Sequence, residues 1–210
     1  MSFRMPAKKP SPTASFSARG GADLAAAVEL RAATRADIPA IDAMHFLSVQ
    51  ALSADDYTPA QIEAFIGHYG TYDPALIDAG SYFVLLHAGR VVASGGWSRH
   101  LPHHPGEKGA EGEAAGDLPQ AGCLAPNSAK VRSVFVHPNY ARLGLGSRLV
   151  RHAETEARAA GFRLVELWAT LTGVPLYARL GYQEVDRFDI SAGNGTAVPA
   201  VHMARILPSA

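Results

Sequence analysis

The chain switches between two hydrophobic periods, one of about two residues and one of about 3.6. A first strand is expected over Ala27 to Ala33. Thr34-Arg35-Ala36-Asp37 then reads as a capping box with Thr34 at the N-cap. The helix after it places Ile38, Ile41, Met44, Leu47 and Ala51 on one stripe. Thr58-Pro59 opens a second helix, with Thr58 as cap and Pro59 where its missing N–H costs nothing. Asp73-Pro74 starts a short third helical turn, and residues 81–87 and 90–98 pair as a hairpin across Ala88-Gly89. The later segments read as strand 130–136, helix 144–160, strand 163–169, short helix 174–180, and strands 183–190 and 198–206. This is an α/β pattern around a mixed sheet. Residues 99–128 interrupt it, being rich in Pro, Gly, Glu and Ala and without period. So long a loop inside one domain tends to be functional or disordered.

Length and composition limit the options. A chain of 210 residues, 48% hydrophobic, can bury one good core, so a single domain over 27–208 is expected behind a flexible tail, 1–26. The formal net charge is zero, which argues against nucleic acid as a partner held by bulk electrostatics. No apolar run approaches the roughly 20 residues that span a bilayer, so no membrane partner is expected. The lone Cys123 excludes an intrachain disulfide and offers no metal cluster, and His100, His103 and His104 lack diagnostic ligand spacing. No metal is expected. The first 22 residues carry Arg4, Lys8, Lys9 and Arg19, no acid and no secretory apolar core. They resemble a mitochondrial presequence only in composition, without an apolar helical face, so a cytoplasmic protein is expected.

The most informative stretch runs from Val134 to Val150. A short strand, Val134-Phe135-Val136, leads through His137-Pro138 into a turn containing Arg142-Leu143-Gly144-Leu145-Gly146-Ser147, which opens a helix. The unpaired N–H groups of a helix's first turn and its dipole favour an anion there. Gly144 and Gly146 allow close backbone approach, and Arg142 adds a charge. No Lys-Ser or Lys-Thr follows, so this is not a Walker A loop, and the dinucleotide fingerprint lacks its third glycine. A second strand, Leu164 to Ala169, precedes Leu176-Tyr177 and Gly181-Tyr182.

Together these segments resemble the GNAT superfamily of acetyl-CoA-dependent acyltransferases. Val-x-Pro before a Gly-x-Gly turn is similar to its cofactor motif, and Leu-Tyr-x-x-x-Gly-aromatic to its C-terminal signature. The resemblance covers about residues 28 to 206 and is most specific between Lys130 and Val185. It implies a mixed, mostly antiparallel central sheet flanked by helices, an N-acetyltransferase activity and acetyl-CoA as acyl-donor cosubstrate. Val134, Phe135 and Val136 would hold the pantetheine arm as an added strand does. Arg142, Leu143, Gly144, Leu145, Gly146 and Ser147 would cradle the pyrophosphate. Tyr177 would protonate the leaving thiolate. Three positions depart from the family's pattern. Ala141 stands where Gln or Arg is usual, and Thr170 stands where an Asn often contacts the cofactor. The strand before the turn carries Lys130, Arg132 and Ser133 rather than a carboxylate. The general base is therefore open: Glu166 is a candidate whose face is ambiguous, and water-mediated deprotonation is another.

The acceptor side is read from charge and aromatics. Between Ile41 and Gly80 the ionised side chains are Asp42, Asp55, Asp56, Glu63, Asp73 and Asp78, whereas the segment around the Gly turn is mostly basic. An acidic funnel with Asp55 and Asp56 would suit a small cationic primary amine. Trp97 and Tyr57, with Tyr69 and Tyr72, are expected to form an aromatic wall. The expected reaction is direct attack in a ternary complex, since no nucleophile is placed. Two alternatives stay open: a protein N-terminal or lysine acetyltransferase, and a CoA-binding interaction module without turnover. Many members of the superfamily dimerise, so a homodimer is also allowed.

Overall fold

The computed structural model describes residues 27–69, 74–99, 108–109, 123–124, 128–191 and 195–208. In chain order the elements are β1 (Glu29–Ala32), α1 (Ile38–Leu52), α2 (Pro59–Ala64), α3 (Pro74–Asp78), β2 (Tyr82–His87), β3 (Arg90–Arg99), β4 (Lys108–Gly109), β5 (Cys123–Leu124), β6 (Ser128–Val136), α4 (Leu145–Ala159), β7 (Leu164–Thr170), α5 (Val174–Arg179), β8 (Gln183–Ser191) and β9 (Ala197–Ile206). The main sheet has seven strands in the order β1-β2-β3-β6-β7-β9-β8. All its pairs are antiparallel except β6–β7. This is the mixed, mostly antiparallel sheet flanked by helices that the sequence led us to expect.

Local chemistry explains the boundaries. The Thr34 N–H donates to Asp37 Oδ2 at 2.8 Å, closing the capping box ahead of α1, and Arg31 grips the same carboxylate in a two-pronged pair. Those bonds hold the Asp37 carboxyl well below the usual carboxylate range. Thr58 accepts the Gln61 N–H and Pro59 occupies the first turn of α2. The β2–β3 hairpin turns on Ala88 and Gly89, both left-handed (φ 48° and 74°), as a tight two-residue turn requires.

The sheet is covered on both faces. Alternation along β2 sends Phe83 and Leu85 toward Leu145 and Leu149 of α4, and Tyr82, Val84 and Leu86 toward Ile41 of α1 and Leu76 and Ile77 of α3. A further cluster joins Val150, Ala153 and Ala157 of α4 to Val165, Leu167 and Ala169 of β7.

Two expectations are corrected. The buried stripe of α1 is Ile41, Met44, His45, Ser48 and Val49, while Leu47 and Ala51 face outward. Polar His45 takes an inward place because it finds a partner on β3 (Ser94 Oγ, 2.6 Å). The 99–128 segment is not wholly without secondary structure, since β4 and β5 pair in parallel within it. Its other residues from 100 to 127, the 1–26 tail, Tyr72 and Asp73 lie outside the described residues.

Candidate active site

β6 and β7 pair over only three positions, Ser128↔Leu164, Ala129↔Val165 and Lys130↔Glu166. Beyond Lys130, β6 stays bonded to β3, and β7 stays bonded to β9 as far as Thr170. The two strands therefore part into a wedge, and the β7-facing edge of β6 has no ladder partner there. An unpaired sheet edge in a cleft is a template for an extended ligand arm.

β6 bends where the wedge opens. Ser94 pairs with Phe135 and Gly96 with Arg132, so Ser133 and Val134 together face Gly95 in a β-bulge. Ser133 is left-handed (φ 52°). A Cβ on Gly95 would lie 3.0 Å from Val134 Cγ2, so the bulge presses closely onto a glycine.

The wedge widens into a cleft of about 150 Å3. Val134, Phe135 and Val136 line one wall, and Thr170, Thr172, Gly173 and Leu176 line the next. Ser48, Val49 and Leu52 of α1, with Tyr57, Ile62 and Phe65, close the third. None of the described lining residues is charged.

The Gly turn stands at the head of this cleft. Gly144 caps α4 in the left-handed region (φ 81°), and a Cβ there would meet nothing within 4 Å. Arg142 is left-handed as well (φ 66°) and exposed. The Arg148 N–H donates to the Gly144 carbonyl at 3.0 Å, so the N–H groups of Leu145, Gly146 and Ser147 precede the helical ladder. Gly146 lies against the cleft wall: its Cβ would be 3.1 Å from Leu176 Cδ2 and 3.6 Å from Val136 Cγ2. Leu143 and Leu145 pack their side chains into the core beneath, leaving only their backbone for a ligand. A cradle of free N–H groups beside an unpaired edge fits a pyrophosphate joined to an extended amide arm.

The structure brings most of the sequence-predicted residues together but not all. Val134, Phe135, Val136, Thr170 and Tyr57 line the cleft. Thr170 also caps the following turn by accepting the Gly173 N–H. Tyr177 follows Leu176 on α5. Its ring lies beneath Gly173, whose Cβ would be 3.1 Å from Tyr177 Cε2, and meets Tyr182 edge-on at 5.7 Å. Burial pushes the Tyr177 phenol well above its ordinary pKa.

Four candidates stand elsewhere. Trp97 pairs with Val131 on the α4 face of the sheet and packs on Phe162, away from the cleft. Asp55 and Asp56 are exposed outside the cleft lining, and Asp56 accepts the Thr172 hydroxyl at 2.6 Å. Glu166 belongs to the last β6–β7 pair, at the wedge's apex. It is fully buried there and accepts a hydrogen bond from His202 Nε2 at 2.8 Å, so it does not line the cleft. Sequence reasoning missed His45, Ser94 and Tyr82, a buried polar group behind the bulge. The adjacent Gly95-Gly96 pair was its only local signal. Among the described residues no helix is long and apolar enough to cross a membrane, and no group of three His, Cys, Asp or Glu could hold a metal.

Comparisons with known proteins agree with this geometry. Residues 46–182 match the model of the acetyltransferase (GNAT) family. An uncharacterised N-acetyltransferase of Methanocaldococcus jannaschii is 34% identical over 59 residues, which is 27% of this chain; the match spans only 26% of that relative's length. The fold is similar to a GCN5-related N-acetyltransferase from Rhodopseudomonas palustris (TM-score 0.63, 22% identity, 85% of this chain and 95% of that one). It is also similar to the PaiA N-acetyltransferase of Thermoplasma acidophilum, solved with coenzyme A (TM-score 0.56, 14% identity, 85% and 98%). The chain belongs to the acetyltransferase (GNAT) family.

Proposed function

We propose that this protein transfers the acetyl group of acetyl-CoA to a primary amine by direct attack within one ternary complex. The observation that carries this reading is the β6–β7 ladder ending at Lys130–Glu166, which leaves an unpaired edge directly below the N-terminus of α4. The Gly144–Ser147 backbone would hold the pyrophosphate, and Val134–Val136 would hold the pantetheine arm. A backbone N–H of that strand would polarise the thioester carbonyl. The amine nitrogen attacks the carbonyl carbon, the C–N bond forms and the C–S bond breaks. The Tyr177 phenol, kept protonated by burial, donates its proton to the departing thiolate. Glu166 is sealed with His202 at the apex, so we assign removal of the amine proton to water rather than to that carboxylate.

The cleft also informs the acceptor. Asp55 and Asp56 do not line the cleft, whose described lining is mostly apolar and uncharged. That lining favours a small primary amine carrying an apolar body. Release of CoA thiol, measured with phenethylamine, hexylamine, spermidine, an aminosugar and peptides with free N-termini, tests the reading. Higher kcat/KM for the apolar amines supports it. Preference for spermidine or the aminosugar overturns the apolar acceptor, and preference for peptides points to a protein N-terminus. Binding of acetyl-CoA without turnover on any amine points to an interaction module.

A further inference from the structure

Behind the bulge of β6 lies a closed line of polar groups. His45 of α1, Ser94 of β3 and Tyr82 of β2 are all fully buried. His45 Nε2 is 2.6 Å from Ser94 Oγ, Ser94 Oγ is 3.2 Å from Tyr82 Oη, and Tyr82 Oη donates to the Ser133 carbonyl at 3.1 Å. Tyr82 holds the only proton on its hydroxyl, and the Ser133 carbonyl accepts it. Tyr82 Oη can then accept from Ser94 Oγ or from an Nε2–H of His45, which lies 3.3 Å away. The three side chains thus form a closed triad whose outlet is the Ser133 carbonyl.

The span of this line has a cause in the sequence. Adjacent strands lie about 4.8 Å apart, so β6 is about 10 Å from β2 with β3 between them. Tyr82 pairs with Gly96 on β3, and a Cβ on Gly96 would sit 2.7 Å from Tyr82 Cδ2. The glycine is what lets the phenol ring cross the middle strand. The line ends on Ser133, the left-handed non-glycine residue of the bulge, in a conformation that is strained unless its surroundings hold it. Its other end also reaches the cleft: the His45 ring packs on Phe135 at 4.2 Å between centroids, and one turn further along α1 Ser48 and Val49 line the acceptor wall.

We infer that His45, Ser94 and Tyr82 are positioning residues for acetyl transfer, a latch that fixes the Ser133 bulge and so aims the Val134–Val136 backbone at the donor. The inference rests on the proposed placement of acetyl-CoA along that strand. The latch touches no reacting atom. It holds the strand that does, and it ties that strand to the acceptor wall through α1.

Tyr82→Phe removes one hydroxyl and keeps the ring that fills the space over Gly96. Calorimetric titration of wild type and variant with acetyl-CoA, and with adenosine 3′,5′-bisphosphate as a probe that lacks the pantetheine arm, separates the outcomes. The expected result is acetyl-CoA affinity weakened about tenfold, the size of one lost hydrogen bond, with affinity for the bisphosphate unchanged. Ser94→Ala, which leaves Tyr82 with His45 Nε2 at 3.3 Å, should show a smaller split in the same direction. Faster amide exchange at Val134–Val136 in both variants would support the latch in the absence of ligand. Unchanged acetyl-CoA affinity and exchange in Tyr82→Phe overturns it, as does equal weakening of both ligands, which marks a general loss of structure. Failure of the wild type to bind acetyl-CoA would overturn the donor placement itself.

Discussion

The Tyr57 hydroxyl accepts the backbone N–H of Leu171 at 2.8 Å, joining the loop after α1 to the first residue beyond β7. The same hydroxyl donates to the Pro199 carbonyl on β9 at 2.7 Å. Burial raises the Tyr57 phenol's pKa, so it stays protonated and keeps both bonds across the working pH range. One side chain thus ties the Tyr57 wall of the cleft to the strand that forms the opposite side of the wedge.

Tyr57→Phe should leave that N–H and carbonyl without their partner. The expected cost is about 1–3 kcal/mol of stability, the penalty of unsatisfied buried groups. Urea denaturation measures it, and the acceptor KM should rise while acetyl-CoA affinity holds. A neutral effect on both stability and KM would show that water replaces the hydroxyl at no cost.

Tyr177→Phe separates chemistry from binding. A proton donor acts mainly in the transition state, so kcat should fall by about a hundredfold with little change in acetyl-CoA affinity. Because burial raises the phenol's pKa, Tyr177 should add no alkaline limb to the kcat profile below pH 10. Steady-state rates from pH 6 to 10 on wild type and variant check both statements. Undiminished kcat in the variant would remove Tyr177 from the mechanism.

The two glycines of the turn should respond differently. Gly144→Ala meets open space but places a side chain at φ 81°, which costs about 1–2 kcal/mol in backbone strain. Gly146→Val drives methyl groups toward Leu176, only 3.1 Å from the Cβ position, and should push that side chain into the cleft. Overpacking of this kind costs about 1–3 kcal/mol. Thermal denaturation should show both losses. Titration with acetyl-CoA should show the larger affinity loss in Gly146→Val.

His45 predicts a pH dependence of stability. Burial lowers its pKa from 6.5 to about 3, so the folded protein holds it neutral while the unfolded chain takes up a proton below pH 6.5. A depressed folded-state pKa contributes stability that is full above pH 6.5 and is lost as pH falls toward 3. The slope from this one group reaches about 1.4 kcal/mol per pH unit. Urea titrations between pH 4 and 8 should show that decline, and His45→Gln should flatten it. An equal slope in the variant would assign the decline to other groups.

Much of the fold was legible because its signals are local. Thr34-x-x-Asp37, Thr58-Pro59 and Ala88-Gly89 each determine their own stretch of backbone, and Gly144 marks the start of α4 by the conformation it permits. The backbone geometry of the proposed donor side was legible for the same reason, being one strand, one turn and one helix in sequence. The acceptor side was not. Periodicity favours apolar residues inward, so Leu47 seemed a better core residue than His45. The reversal depends on Ser94, 49 residues away. Asp55 and Asp56 suggest a pocket by charge alone, yet neither lines the cleft, and Asp56 reaches only its rim, where it accepts the hydroxyl of Thr172, 116 residues away. Trp97 pointed to recognition by type, but strand alternation sends it to the α4 face with Val131.

The central claim is that acetyl-CoA lies along the unpaired edge of β6 with its pyrophosphate at the head of α4. Hydrogen–deuterium exchange of the full chain with and without saturating acetyl-CoA tests it most directly. The account predicts slowed exchange at Val134–Val136 and at Leu145, Gly146 and Ser147, with β8 and the α1 surface around Phe46 unchanged. Saturable binding of acetyl-CoA that leaves those amides exchanging at their free rates would contradict it.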